Sequence, residues 1–172
     1  MSIESIPVSS FMTSNVKTET EDQNIHAICK TMNDNNIGSI IIMTDINSTS
    51  QRAVGIVTER DIVRILGQLQ PTLLRMPIKE LMSKPLITLS PNSSIKNAIQ
   101  TMQQNNIRRI PIVEKGNMLG IVTDKDIFRA LMHNRVSLDS ITSDSSLAEG
   151  HRLVFDQCSE YFFNDVLQRP TR

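Results

Sequence analysis

The sequence has little of what marks a secreted, membrane-spanning or nucleic-acid-binding protein. Its 172 residues include two cysteines, one tyrosine, five phenylalanines and no tryptophan. Lys and Arg number 18, as do Asp and Glu, so the formal net charge is zero. A neutral chain has no overall field to recruit nucleic acid or an anionic membrane. A nucleic-acid-binding role is therefore poorly supported.

Long hydrophobic runs are also lacking. The longest apolar run, residues 40–43, is far shorter than the roughly 20 residues that a membrane-spanning helix needs. Residues 1–7 show neither a basic n-region nor an apolar h-region, which a signal peptide would have. We therefore expect a soluble, cytoplasmic protein without a membrane contact.

Cysteine and histidine are too scattered to form a recognisable site. Cys29 and Cys158, like His26, His133 and His151, show no metal-ligand or redox spacing, and free thiols fit a reducing compartment. The sequence contains neither a Walker-type Gly-Lys-Ser/Thr nor an evident pair of nucleophile and base. It therefore predicts no metal, no required cofactor and no catalytic residue, and an enzyme is a weak hypothesis.

What the sequence does have is an internal repeat, which directs the rest of the interpretation. The stretch Gly55-Ile56-Val57-Thr58-Glu59-Arg60-Asp61 recurs as Gly120-Ile121-Val122-Thr123-Asp124-Lys125-Asp126. A shift of 65 positions, from 55 to 120, aligns these two stretches. Upstream of them a shift of 70 positions, from 7 to 77, aligns the two copies, starting with Pro7 on Pro77.

Each copy has the pattern of a β-α-β-β-α unit. Alternating residues at 16–18 and 86–88 predict a first strand, and an amphipathic helix follows, with Asp22 and residues 90–94 as candidate caps. Apolar runs at 40–43 and 110–113 predict buried strands, although Pro111 indicates an edge or a break in the ladder. Polar residues 44–54, which contain the five-residue difference between copies, are expected to form a loop.

The repeats divide the chain into four parts. We expect repeat one at residues 1–66, a linker at 67–76, repeat two at 77–132 and a C-terminal extension at 133–172. In this extension Ser146-Leu147-Ala148-Glu149 has the form of a capping box and predicts a helix, although residues 152–155 could form a strand. Four of the six aromatic residues lie there, so we expect residues 146–167 to dock on the core or on a protein partner.

The repeated Thr-x-x-Asp lies where a strand turns into a helix. Free N–H groups and the positive end of a helix dipole favour an anionic ligand at such a turn. The same residues also make an ordinary N-cap, which stabilises a helix by about 1 kcal/mol. Both roles are compatible, so Thr58 with Asp61 and Thr123 with Asp126 are candidates for either.

Two β-α-β-β-α copies, each with a Met near its start and a Gly-Ile-Val-Thr-x-x-Asp-Ile ending, the second preceded by Arg-Ile-Pro-Ile-Val, resemble a pair of cystathionine β-synthase (CBS) domains, or Bateman module. The resemblance covers residues 7–132. It implies an α/β (α+β) fold with two repeats about a pseudo-two-fold axis, two equivalent clefts between them, and association into a disc-shaped homodimer.

The resemblance also implies an adenosine-containing ligand such as AMP, ADP, ATP or S-adenosylmethionine. In the family the Asp of the terminal motif holds the ribose hydroxyls and the Thr lies nearby, which here are Asp61 with Thr58 and Asp126 with Thr123. Basic residues before the Ile-Pro strand contact phosphates, which implies that role for Arg108 and Arg109. Repeat one departs from this pattern because it has Gly38-Ser39 there. The implied adenine slot includes Thr18, Ile40, Ile42, Thr88, Ile110, Pro111 and Ile112.

Several functions are compatible with these residues. The favoured one is a stand-alone regulatory module that binds an adenosine-containing ligand and acts on a partner in trans. A ligand-free dimerisation or scaffold module is the main alternative. On that interpretation Arg108 and Arg109 are a surface pair or an inter-subunit ion pair, and Thr18 and Thr88 are ordinary exposed strand residues.

Overall fold

A computed structural model describes residues 5–47 and 50–133, so the predicted extension beyond residue 133 lies outside the described residues. The fold is of the mixed α/β class that the repeats predict. Short 3₁₀ helices at Val8–Ser10, Pro71–Arg75 and Ile78–Glu80 accompany the main elements. The main elements are β1 (Thr18–Thr20), α1 (Ile25–Asn35), β2 (Ser39–Asn47), β3 (Ser50–Thr58), α2 (Glu59–Gly67), α3 (Ile95–Gln104), β4 (Arg109–Glu114), β5 (Asn117–Thr123) and α4 (Asp124–His133).

Repeat one forms a three-stranded sheet in the order β1-β2-β3. Strands β1 and β2 are parallel, with Thr18 opposite Ile41, and α1 connects them. Strands β2 and β3 are antiparallel. The predicted loop at 44–54 is wrong, because β2 continues to Asn47 and β3 begins at Ser50. The additional residues of repeat one therefore lengthen a hairpin.

Repeat two lacks a full first strand, and Pro111 explains the difference. In repeat one the N–H of Ile41 donates to the carbonyl of Lys17 (3.4 Å). Pro111 stands at the position of Ile41 and has no N–H, so the corresponding bond is lost. A single parallel bridge between Leu89 and Ile112 remains. The predicted strand at 86–88 is therefore wrong, and in repeat one the strand begins only at Thr18.

Polar residues cap both α1 and α3, but the cap of α1 is not the residue that the sequence predicts. Ser94 caps α3, as predicted, but α1 is capped by Asn24, whose side chain accepts from the N–H of Ala27 (3.0 Å). Asp22 instead pairs with Lys79 (2.9 Å). Beyond α1 and α3, Asn36 and Asn106 adopt left-handed conformations with φ of 51° and 50°. Asparagine tolerates this conformation better than most residues, which accounts for the second Asn of each Asn-Asn pair.

The chain forms two compact units, and their boundaries cross those of the repeats. Of the described residues, one unit contains 14–47, 50–88 and 113–119, and the other contains 5–13, 89–112 and 120–133. The short segment that opens each repeat therefore belongs to the unit that holds the main part of the other repeat. The first unit includes the bridge between Asn24 and Pro77, and the second that between Pro7 and Ser94.

Each unit has its own hydrophobic core. The predicted buried strand at 40–43 is confirmed at Ile40, Ile41 and Ile42, which are fully buried. In the first unit the core brings together helix, strand and opening-segment residues: Ile25, Ile28, Met32, Ile40, Ile42, Val57, Ile65, Ile78 and Met82. The buried apolar residues of the second unit are Ile6, Val8, Ile95, Ala98, Ile99, Met102, Ile110, Ile112, Ile121, Val122, Ile127, Ala130 and Leu131.

Candidate functional site

The first Thr-x-x-Asp motif joins β3 to α2 through a reciprocal cap. Thr58 is the N-cap of α2. Its N–H and its hydroxyl both donate to Oδ2 of Asp61, over 2.9 and 2.7 Å, and its Oγ1 accepts from the Asp61 N–H (3.4 Å). These are the bonds of a capping box. The capping role foreseen for this pair is therefore confirmed.

The second motif repeats this geometry between β5 and α4. The N–H and hydroxyl of Thr123 donate to Oδ2 of Asp126 over 2.9 and 2.7 Å. The Asp126 N–H donates back to Oγ1 of Thr123 (3.3 Å). We call each Thr-x-x-Asp pair a half-site, Thr58 with Asp61 being half-site one and Thr123 with Asp126 half-site two.

The half-sites differ at the other carboxylate oxygen, Oδ1. In half-site one, Oδ1 of Asp61 accepts from Oγ of Ser83 (2.9 Å) and from Nη2 of Arg64 (3.1 Å). In half-site two, Oδ1 of Asp126 contacts Nη1 of Arg129 at 3.9 Å, and within residues 5–47 and 50–133 it has no hydrogen bond. Burial does not distinguish the two, since the side chains of Asp61 and Asp126 are 11% and 12% exposed.

Sequence reasoning missed Ser83 as a member of half-site one. The shift of 70 positions aligns Met82-Ser83 with Met12-Thr13, and this hydroxyl after each repeated Met was the available signal. Backbone pairing explains its position. Ser83 exchanges two backbone hydrogen bonds with Ile56, just as Thr13 does with Ile121.

Arg108 lies beside half-site two. Its carbonyl accepts from the N–H of Asp124 (3.1 Å), the first residue of α4, so its backbone adjoins the turn that presents Asp126. Its side chain is exposed, while Arg109, the first residue of β4, is half-buried. Gly38 holds the matching position in half-site one, where its carbonyl accepts from the N–H of Glu59 (3.2 Å). Half-site two therefore has an arginine at the position where half-site one has a glycine.

The predicted apolar slot residues fall into two groups. Ile40, Ile42, Ile110 and Ile112 are fully buried, so their side chains belong to the cores and only their backbone is left to meet a ligand. Pro111 is buried as well. Thr18 and Thr88 are exposed.

The described part of the chain offers neither a metal site nor a membrane-spanning helix. In residues 5–47 and 50–133 no group of three or more His, Cys, Asp and Glu side chains could hold a metal ion. Within the same ranges no helix has the length and apolar character to cross a bilayer.

Cys29 is half-buried, and its burial raises the pKa of the thiol.

Comparison with known proteins gives one consistent result. The model of the CBS domain matches this chain twice, at residues 8–68 and 78–133. The CBS domain-containing protein YhcV of Bacillus subtilis is 33% identical over 137 residues, which are 78% of this chain and 91% of YhcV. The chain spans 55% of a second relative, the mitochondrial CBS domain-containing protein CBSX3 of Arabidopsis thaliana, with 29% identity over 66% of this chain.

Solved structures agree with the sequence comparisons. A CBS domain protein of Thermoplasma acidophilum, TA0289, matches with a TM-score of 0.66, 26% identity and coverage of 86% of this chain and 76% of its own. The CBS domain pair of protein MJ0100, solved with 5′-methylthioadenosine and S-adenosylmethionine, matches with a TM-score of 0.64, 25% identity and coverage of 74% and 97%. The chain therefore belongs to the CBS domain family. It carries a tandem pair of these domains, because the family model matches it twice.

Proposed function

We propose that the chain is a regulatory module that binds an adenosine-containing ligand, with half-site two as its ribose-binding group. The observation that carries the proposal is Oδ1 of Asp126, which accepts no hydrogen bond within residues 5–47 and 50–133 and has the Arg129 guanidinium 3.9 Å away. A carboxylate has about four lone-pair sites, and the two Thr123 bonds occupy those of Oδ2. Oδ1 can therefore accept hydrogen bonds from both hydroxyls of a cis diol.

Arg108 supports a ligand with phosphate groups. Its backbone bond to Asp124 places a guanidinium-bearing residue next to the turn, and guanidinium groups bind phosphate through paired hydrogen bonds. The MJ0100 structure contains two adenosine derivatives, which supports the same ligand class here. AMP, ADP, ATP and S-adenosylmethionine are therefore the compounds to test, and a bound ligand would act through its different affinities for alternative arrangements of the protein.

Calorimetric titration and thermal unfolding with these four compounds test the proposal. A ligand at 100 times its Kd should stabilise the protein by about 2.7 kcal/mol, which is a readily measured shift in Tm. Inosine monophosphate and guanosine monophosphate serve as controls for the base. The proposal fails if none of the four adenosine compounds releases or absorbs heat or shifts the Tm.

A dimerisation module without a ligand is the second candidate, and an apolar surface favours it. Val63 and Leu66 on α2 are 69% and 52% exposed, and Leu69, just beyond the helix, is 87% exposed. Apolar side chains grouped in this way mark protein contacts. A homodimer through this surface is also compatible with ligand binding. The oligomeric state alone therefore does not distinguish the two candidates, and the titration above does.

The oligomeric state tests this surface. Val63→Glu combined with Leu69→Glu should convert a dimer into a monomer in light scattering after size exclusion, because burying unpaired carboxylates is costly. Lys17→Glu, at an exposed position outside this surface, is the control for added charge. A wild type that is monomeric at high concentration would remove this candidate. Incubation with ATP tests the remaining alternative, because measurable turnover would indicate an enzyme.

A further inference from the structure

We infer that Ser83 closes half-site one to the ligand, so that each chain binds one adenosine-containing molecule, at half-site two. This inference rests on the proposed function and assigns Ser83 a role in deciding the number of ligands. It differs from the expectation of two equivalent clefts that the family resemblance implies. The reason lies in the hydrogen bonds that each carboxylate already accepts.

The carboxylate of Asp61 is saturated. Oδ2 accepts two bonds from Thr58, and Oδ1 accepts one from Ser83 and one from Arg64. These four bonds match the roughly four lone-pair sites of a carboxylate. A ribose can bind Asp61 only by displacing one or both of the donors to Oδ1, so binding there exchanges hydrogen bonds and gains none.

The two donors to Oδ1 differ in how easily they leave. The Arg64 side chain is 60% exposed and can turn into water, where its hydrogen bonds are replaced. Ser83 has a short side chain, and its backbone is paired on both sides with Ile56, N–H to carbonyl at 2.9 Å and carbonyl to N–H at 3.2 Å. Its backbone therefore stays beside Asp61, and its hydroxyl, which donates to Oδ1 over 2.9 Å, can leave only by rotating about the Cα–Cβ bond.

Half-site two can still accept hydrogen bonds from a ligand, because Thr13 does not donate to Asp126 in the described ranges as Ser83 does to Asp61. Thr13 makes the equivalent backbone pair with Ile121, at 2.9 Å in both directions. Within the described ranges, however, its hydroxyl makes no hydrogen bond to Asp126, although it occupies the position of Ser83 in the repeat. Among the described residues, no hydrogen bond therefore occupies the two lone-pair sites of Oδ1 of Asp126, which remain for a diol.

Equilibrium dialysis of the full chain against radiolabelled AMP and, separately, S-adenosylmethionine tests the inference. We expect the wild type to bind one molecule per chain of whichever compound binds. Ser83→Ala removes the fixed donor and should raise this number to two, or tighten a weak second site by about tenfold or more, the amount that one hydrogen bond to a charged group contributes. Thr13→Ala is the matched control and should leave the number at one.

Each other outcome contradicts the inference in a recognisable way. Two molecules of equal affinity in the wild type would show that Ser83 does not close half-site one. One molecule in both the wild type and Ser83→Ala would leave the proposed function standing and remove the role of Ser83. Binding by neither protein would overturn both ideas. Thermal unfolding of each variant without ligand checks that the variant is folded, so that a loss of binding is not caused by unfolding.

Discussion

A β-carbon on Gly120 would lie 2.7 Å from the carbonyl oxygen of Thr13. That carbonyl accepts from the N–H of Ile121, so the opening segment of the chain rests directly on the second Gly-Ile-Val-Thr stretch. The sulfur of Met12 would lie 2.9 Å from the same β-carbon. In the other unit Met82 covers Gly55 in the same way. The repeated Gly and the repeated Met are therefore two sides of one contact.

Replacing this glycine should destabilise the protein. We expect Gly120→Ala to lower the free energy of unfolding by about 1–3 kcal/mol, the usual cost of overpacking, because a paired backbone carbonyl cannot move aside easily. Gly67→Ala is the control, since a β-carbon there would meet nothing within 4 Å. Urea unfolding of both variants makes the comparison, and equal stability of Gly120→Ala and the wild type would contradict the contact.

The two half-site aspartates should separate stability from binding. Asp61→Ala removes four side-chain hydrogen bonds, whereas Asp126→Ala removes two and a longer ion pair. We therefore expect Asp61→Ala to cost more stability without ligand, about 2–3 kcal/mol against about 1 kcal/mol for the loss of a cap. For AMP or S-adenosylmethionine affinity we expect the reverse order, with Asp126→Ala causing the larger loss, about tenfold or more.

Urea unfolding measures the loss of stability in Asp61→Ala and Asp126→Ala, and calorimetric titration of the same preparations measures the loss of affinity. A parallel loss of stability and affinity in each variant would indicate that ligand binding merely reports on folding. A larger loss of affinity in Asp61→Ala would contradict the assignment of the ligand to half-site two.

The cap of α1 gives a test that does not involve a ligand. Asn24→Ala should cost about 1 kcal/mol, within the 0.5–2 kcal/mol range for N-caps, because the N–H of Ala27 loses its acceptor. Asp22→Ala should cost less, since it breaks only an exposed ion pair with Lys79. Thermal unfolding at low and high salt separates them further, because only the ion pair is screened. A larger loss from Asp22→Ala would favour Asp22 as the cap.

Most of the fold follows from the repeat, because period and composition are local signals. The buried strand at 40–43 and the Ser94 cap lie where the sequence predicts them. The wrong predictions concern hydrogen bonds that depend on which residues the fold brings together. Asp22 and Asn24 are equally good caps by type, and residues 44–47 and 50–54 form strands because each strand supplies the other with partners.

The candidate site was predictable only in part. The repeated Thr-x-x-Asp identified both aspartates and their caps, and the position of Arg108 separated one copy from the other. Ser83 was not found because it acts on Asp61 from 22 positions away, through a bridge with Ile56. The exchange of opening segments between units is likewise a long-range relationship that a repeat alignment does not contain.

Cys29 should react slowly with thiol reagents. Burial raises the pKa of its thiol above the ordinary value of 9.0, so less of the reactive thiolate is present at a given pH. The raised pKa also means that its contribution to stability is complete below pH 9.0 and is lost as the pH rises through the folded value. Alkylation of a Cys158→Ser variant should show a rate midpoint above pH 9.0, and a midpoint below it would contradict the burial.

Arg108 should distinguish ligands by their phosphate groups. If its guanidinium meets a phosphate, Arg108→Ala should weaken AMP or ATP by about tenfold, because a hydrogen bond between charged groups contributes about 1.5–3 kcal/mol. Adenosine, which has no phosphate, should bind the variant and the wild type alike. Lys125→Ala, at an exposed position on α4, tests whether any nearby positive charge suffices. Calorimetric titration of the three proteins with adenosine and AMP measures the difference, and an equal loss for both ligands would place Arg108 outside the phosphate contact.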